Sequence, residues 1–544
     1  MESRRPVTLT PTPASYYWLL GAFVLWMLAE MFPFELTFEG DSLRIIASSS
    51  IMYNNGWAIP PEASYQYGMQ PAIIYLIVCV KHLLPFLSCN TIYSLMSALA
   101  ALAAIPLAVA FVHRVTGMSK TLVLFALILL PETYAIATYP NTSSFSYALA
   151  LWAFLLIMKE APFWQPLVIM CIATVFRIDI IIIYPVILLL FLHRGTSIKR
   201  SIVLSAAAAV VVLAFMLAAY TLFQANPFKT LTAAETMNGN GRLLQMGLIA
   251  IFSYYTLVNI ILIPIGIACV ARRKQYLMLL IALLPMVLIH YFYRLNGGAA
   301  KHYLYLLPFV AILTCHAIQY LKALGKRYKT LGYAMVVALV AYYIVSLRFD
   351  FPDKPWRNTE DCVSKAGPNL SLYTDANSPR HWQLGIGTSL GFFTEDELMV
   401  YSGHFFYPFY IHKVKSRQKE HIHEVKAYLD KNAPNRYVVV ALTWNDLSLY
   451  PSLLLEEGYK FKNLPNRSFE MSDGNRYVAL LESEMQNNEE NINKALGDIR
   501  SNPKLEGVPV YVVTQMESFQ HPLDNLCKKQ RCRKLMDGVY EVIP

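Results

Sequence analysis

Up to about Ser346 the chain is a succession of apolar runs parted by short polar loops. From Arg348 onward, apolar and polar residues mix as in a soluble domain. Runs such as Ser201–Leu222 and Gly247–Val270 hold about twenty residues, enough to cross a roughly 30 Å hydrocarbon core. The pattern predicts a polytopic α-helical membrane protein (residues 1–347) followed by an α/β, in detail α+β, domain (residues 348–544).

Lys and Arg collect in short loops between the runs: Arg4/Arg5, Arg114/Lys120, Lys159, Arg194/Lys199/Arg200, Arg272–Lys274 and Lys322–Lys329. With the amino terminus inside, the successive spans are Tyr17–Phe32, Ile92–Val112, Thr121–Ala137, Tyr147–Met158, Phe163–Val175, Ile178–Leu192, Ser201–Leu222, Gly247–Val270, Tyr276–Phe292, Tyr303–Tyr320 and Thr330–Ser346. These make about eleven crossings, put every basic cluster on the cytoplasmic side and leave the carboxyl-terminal domain outside. The condition is that Pro71–Phe86, apolar but interrupted by Lys81 and His82, does not cross; it reads as an interfacial helix over 71–86 after a first outer loop at 33–70. The weak points are the short Phe163–Val175 span and the Arg177–Asp179 pair at its turn. Tyr17–Phe32 lacks a small-residue cleavage site and is not read as a cleavable signal.

Composition agrees. Charged residues are 15% and apolar ones 56%, against roughly 25% and 45–50% in a soluble chain. A soluble enzyme, a secreted domain and a disordered scaffold are excluded. The net charge of +10 sits in the loops and is not interleaved with aromatics along one surface, so no nucleic-acid partner is expected.

In the outer domain, Asn369–Thr374, Arg436–Leu442, Arg476–Leu481 and Val508–Val513 read as strands, Lys419–Lys431 and Asn488–Ile499 as helices, and Leu453–Leu481 as a hairpin-containing α+β unit. Gly385, Gly387 and Gly391 miss the dinucleotide spacing, and His404, His412, His421 and His423 match no zinc pattern. Cys527 and Cys532 can close a small disulfide loop or remain thiols.

The first outer loop carries the chemistry. In Phe38-Glu39-Gly40-Asp41-Ser42-Leu43-Arg44, followed by Ile45–Trp57, the positions Leu43, Ile46, Ala47, Ser50 and Ile51 have helical spacing, and Asn54-Asn55-Gly56 supplies a stop. Asp41 therefore opens a short interfacial helix, where Asp is also a favoured cap. Glu39 and Asp41, two residues apart, can share a divalent cation.

Glu39-Gly40-Asp41, the helix, Asn55-Gly56-Trp57 and Gln70-Pro71 occur in an order that resembles the GT-C superfamily of lipid-linked-sugar glycosyltransferases, which includes protein O-mannosyltransferases and the lipid A aminoarabinose transferase. Arg294-Leu295-Asn296-Gly297-Gly298 and Lys301-His302-Tyr303-Leu304-Tyr305-Leu306-Leu307-Pro308 resemble that family's basic-Tyr-leucine-Pro entry to a late helix. The resemblance spans about residues 15–345. In several members the acidic residue is Asp-Glu, where this chain has Asp41-Ser42; relatives of the aminoarabinose transferase carry Glu beside the interfacial Pro, where this chain has Met69-Gln70.

The resemblance implies an inverting transferase, moving a sugar from a polyprenyl-phosphate donor held in membrane lipid to an acceptor (protein, lipid or glycan) at the outer face. With no visible organelle-retention tail, the expected location is a bacterial inner membrane. Asp41 would be the general base. Arg294, Lys301 and Arg242 would hold donor phosphate, with Arg177 a weaker candidate. Glu39, Trp57, Gln70, Tyr139, Asn141, His302 and Tyr303 would line the substrate site. The rival readings are a flippase for a lipid-linked glycan, which half-to-half repeats would favour, and a glycan polymerase or ligase.

Overall fold

The computed structural model describes residues 13–31, 40–58, 70–130, 141–223, 255, 257–293, 303–327, 385–392, 422–442, 449–464, 468–483, 503–514 and 532–543, with isolated positions at 330, 334, 337, 338, 341, 497, 525 and 528; at Asp41, Leu43 and Arg44 it describes the backbone alone. The chain divides into two compact units.

The helical unit begins with α1 (Ala14–Met31). From Leu95 it takes in most of α4 (Cys89–Thr116), then α5 (Lys120–Ile128), α6 (Ser143–Met158), α7 (Trp164–Phe176), α8 (Val186–His193), α9 (Ile198–Leu222), α10 (Leu257–Arg272), α11 (Tyr276–Tyr293) and α12 (Leu307–Arg327). Three described helical segments, Cys89–Thr116, Ile198–Leu222 and Leu304–Leu324, are long and apolar enough to cross a membrane. Helix α9 leaves Ile202, Val203, Val210, Leu213, Phe215 and Leu222 exposed, as a lipid-facing helix would.

Ser119 starts α5 by accepting a hydrogen bond from the Leu122 amide at 3.3 Å. The run Ile178–Leu192, expected as one helix, is two: a 3-10 segment at Ile178–Ile183, then α8. Pro185 explains the break, because it lacks the N–H that a continuous α-helix would need there. Helices α10 and α12 touch at Gly266, where an added Cβ would lie 2.2 Å from the Leu313 carbonyl oxygen; only glycine permits that approach.

The second unit contains α2 (Gly40–Asn54), α3 (Pro71–Leu83), the first residues of α4, and a seven-stranded sheet. The strands are β1 (Arg436–Leu442), β2 (Lys460–Leu464), β3 (Ser468–Ser472), β4 (Tyr477–Ser483), β5 (Val510–Thr514), β6 (Cys532–Met536) and β7 (Val539–Val542), in the order β2-β3-β4-β1-β5-β7-β6. The centre is parallel, with Val438 opposite Ala479 on one side and Val510 on the other; both flanks are antiparallel. Helix α13 (residues 422–432) precedes β1, and α14 (Leu449–Glu456) follows it. Ile422, Val425, Leu429, Tyr437, Val439, Tyr450, Leu454 and Met471 form the core.

Beside this core Lys426 is nearly buried and pairs with Asp430 at 2.6 Å and Glu457 at 2.7 Å, while Arg476 also pairs with Asp430. Burial opposes the Lys426 charge, but the two carboxylates outweigh it and raise its pKa. Cys532 is disulfide-bonded. Cys527 lies outside the described residues, as do His404, His412, His421 and the segments expected at Asn369–Thr374 and, apart from one position, Asn488–Ile499.

Candidate active site

In the helical unit the polar groups converge on the turn after α7. Arg177 Nε donates to Asp179 Oδ2 at 2.7 Å, with the two side chains only 11% and 10% exposed. Arg177 Nη1 donates to Thr142 Oγ1 at 3.1 Å, and Tyr305 OH donates to Asp179 Oδ1 at 2.9 Å. This joins the start of α6, the end of α7 and the approach to α12. An ion pair among apolar helices persists only when its remaining hydrogen-bonding capacity is met, and Thr142 and Tyr305 serve that need. Charged groups in such surroundings mark functional sites often enough to make this cluster a candidate. The sequence offered Arg177 as a weaker phosphate candidate and Asp179 only as part of a weakness in a span; the partners, 35 and 126 residues away, carry no local signal.

Two of the expected residues lie in the same unit. Asn141 is buried, accepts from the Ser144 amide at 2.9 Å and hydroxyl at 3.2 Å, and donates its own amide to Ser97 Oγ at 2.8 Å. Its carboxamide oxygen thus starts α6. Tyr303 is buried, its ring 5.1 Å from that of His290 in an edge-on contact. Tyr147 OH and His290 Nε2 are buried and have no hydrogen-bond partner among the described residues.

The second unit holds the first-loop residues. The backbone places Asp41 in the first turn of α2, as the spacing predicts. The helical spacing of Leu43, Ile46, Ala47, Ser50 and Ile51 marks one face of α2, but burial is not confined to it: Ile45 to Met52 are all buried. Ala47 and Ile51 belong to the core of the sheet domain, whose residues lie some four hundred positions along the chain, so the period of α2 alone could not reveal them.

Trp57 follows α2 with φ +71, a left-handed conformation unusual for a bulky residue. Its ring stacks on His82 at 5.0 Å and Tyr75 at 6.1 Å. Lys81 Nζ lies 5.4 Å from the centre of the Tyr53 ring and donates to the Pro85 and Leu87 carbonyls at 2.8 and 2.6 Å. Gln70 immediately precedes α3 and is buried, and its Oε1 has no partner among the described residues. Glu39, Tyr139, Arg242, Arg294, Lys301 and His302 lie outside the described residues. Among the described residues, no group of three metal-ligating side chains is assembled.

No family model matches the chain, and no curated protein matches it. Solved structures do. The crystal structure of ArnT from Cupriavidus metallidurans in the apo state superposes with a TM-score of 0.57 at 14% identity, covering 97% of each chain. ArnT from the same organism bound to undecaprenyl phosphate gives 0.56 at 14% identity, covering 97% of this chain and 98% of that one. The fold is shared along nearly the whole length, the sheet domain included.

Proposed function

We propose that this protein is an integral-membrane glycosyltransferase of the GT-C type, using a polyprenyl-phosphate sugar as donor. The observation that carries the reading is the end-to-end fold likeness to ArnT, a protein also solved with undecaprenyl phosphate. The motif order in the first outer loop resembles the same superfamily on independent grounds.

The donor keeps its tail in the bilayer and presents its sugar at the outer face of a bacterial inner membrane. The acceptor hydroxyl gives its proton to the Asp41 carboxylate while its oxygen bonds the anomeric carbon. The bond from that carbon to the phosphate oxygen breaks, and the polyprenyl phosphate leaves with the electron pair. Attack from the opposite side inverts the centre. Phosphate is already a good leaving group, so the protein supplies a base and cations; Arg294, Lys301 and Arg242 are the cations proposed. Trp57, Gln70, Tyr139, Asn141, His302 and Tyr303 are the proposed lining, with Glu39 beside the base; Glu39 and Asp41 are the pair that a divalent metal would use. Residues 1–347 and 348–544 act as membrane and extracytoplasmic parts.

A second reading, translocation of a lipid-linked glycan, has one observation in its favour: the buried Arg177–Asp179 pair. Mass spectrometry of lipid-linked sugars in cells lacking the protein tests the main reading. Unspent polyprenyl-phosphate sugar should accumulate and an unglycosylated acceptor should appear. An unchanged lipid-linked pool would refute it.

A further inference from the structure

Helix α2 is a poor helix on its own account. Its fifteen residues include four serines and three isoleucines, residues of middling helix propensity, so packing must hold it. Ala47 and Ile51, fully buried, sit in one core with Ile422, Val425, Tyr450, Leu454 and Met471 of the sheet domain. At the last turn, Asn54 Nδ2 donates to the Leu455 carbonyl at 2.8 Å and to the Tyr459 carbonyl at 3.0 Å. Those carbonyls lie at the carboxyl end of α14 and just beyond it; the Leu455 oxygen also accepts from the Gly458 amide at 3.1 Å, and a carbonyl oxygen has two acceptor sites. The other side of the same turn is held by α3, through Tyr53 and Trp57 against His82.

We propose that the sheet domain is the frame that positions Asp41, and that Asn54 is the positioning residue fastening α2 to it. The inference rests on the reading of Asp41 as base, and it gives the carboxyl-terminal domain a task within the transfer reaction. From Asn54 to Asp41 the helix runs about 20 Å at 1.5 Å per residue. A tilt of about 3° at the Asn54 end therefore moves the Asp41 end by about 1 Å, and a misplacement of that size can cost up to about a hundredfold in rate. Asn54 is suited to fix the tilt because its two N–H groups reach two carbonyls at once. Neither a hydrophobic side chain nor a carboxylate could do so.

The test uses the full-length protein in liposomes with a labelled polyprenyl-phosphate sugar, comparing wild type, Asn54→Ala and Asp41→Asn. In Asn54→Ala, kcat should fall roughly ten- to a hundredfold with the donor KM and the thermal midpoint little changed. Amide exchange should quicken across residues 45–53 but not in β1 or β5. A general structural defect would instead lower the midpoint and quicken exchange throughout. Should Asn54→Ala not fold, Asn54→Asp, which keeps the shape and removes both donors, gives the same comparison. Wild-type kcat in Asn54→Ala beside an inactive Asp41→Asn overturns the positioning role alone. Wild-type transfer by Asp41→Asn overturns the base assignment and, with it, the reason for the fastening.

Discussion

Replacing Asp179 with Asn removes one charge from the buried pair and little else. The Arg177 Nε to Asp179 Oδ2 separation is 2.7 Å. At an effective dielectric of 20, that distance corresponds to a Coulomb attraction of about 6 kcal/mol before desolvation is subtracted. Removing one partner of such a pair leaves an uncompensated buried charge and costs about 3–5 kcal/mol. Asn keeps an acceptor for the Tyr305 hydroxyl, so the loss reports the charge and not the 2.9 Å hydrogen bond. Asp179→Asn should therefore be destabilised by about 3–5 kcal/mol, and Arg177→Met by a similar amount. The double variant, with no charge left to bury, should return to within about 1–2 kcal/mol of wild type. Reversible denaturant titration in detergent micelles, followed by circular dichroism, measures all four corners of the cycle. If either single variant lies within about 0.5 kcal/mol of wild type, the pair is solvated and the reasoning fails.

Three further outcomes are expected. In a cysteine-free background, Ser371→Cys should react with a membrane-impermeant thiol reagent on intact cells and Gly195→Cys should not; the reverse result would invert the proposed topology. Arg294→Ala or Lys301→Ala should weaken donor binding by roughly ten- to a hundredfold, since each charge-assisted contact contributes about 1.5–3 kcal/mol, and unchanged binding in both would assign them to headgroup anchoring. Burial raises the pKa of the Tyr437 and Tyr450 hydroxyls, and the carboxylates beside Lys426 raise its pKa. The folded sheet thus keeps protons that the unfolded chain releases above about pH 10. Its stability should hold at neutral pH and fall as pH rises past 10, and a thermal midpoint that rises there would contradict these shifts.

The apolar runs located most described helices to within a few residues, because a membrane-length run imposes its own secondary structure whatever its neighbours. Ser201–Leu222 became Ile198–Leu222, and Arg436–Leu442 was a strand end to end. Local pattern failed where a remote partner decides. Ser48 and Ser49 lie off the face spaced by Leu43, Ile46, Ala47, Ser50 and Ile51, yet Ser48 and Ser49 are buried along with Ser50. Strand β6, Cys-Arg-Lys-Leu-Met, carries charges that hide its period, as edge strands commonly do. In the candidate site, the start of α2 at Gly40-Asp41 was legible from its motif. Arg177 was named as a weaker phosphate candidate and Asp179 was visible only as part of an interruption, since their stabilising partners, Thr142 and Tyr305, come from other segments.

The central claim is sugar transfer with Asp41 as base. Purified protein in liposomes, given a labelled polyprenyl-phosphate sugar and envelope acceptors, reads transfer and movement across the bilayer in one experiment. Asp41 is the second residue of α2, where losing the charge forgoes only about 0.3–1 kcal/mol of helix-dipole attraction, so Asp41→Asn should fold and bind donor, whereas losing a general base slows the chemistry by about 10²–10⁴. The account predicts label on an acceptor with wild type and at least a hundredfold less with Asp41→Asn. Label that crosses the bilayer without reaching any acceptor, or transfer by Asp41→Asn at the wild-type rate, would contradict it.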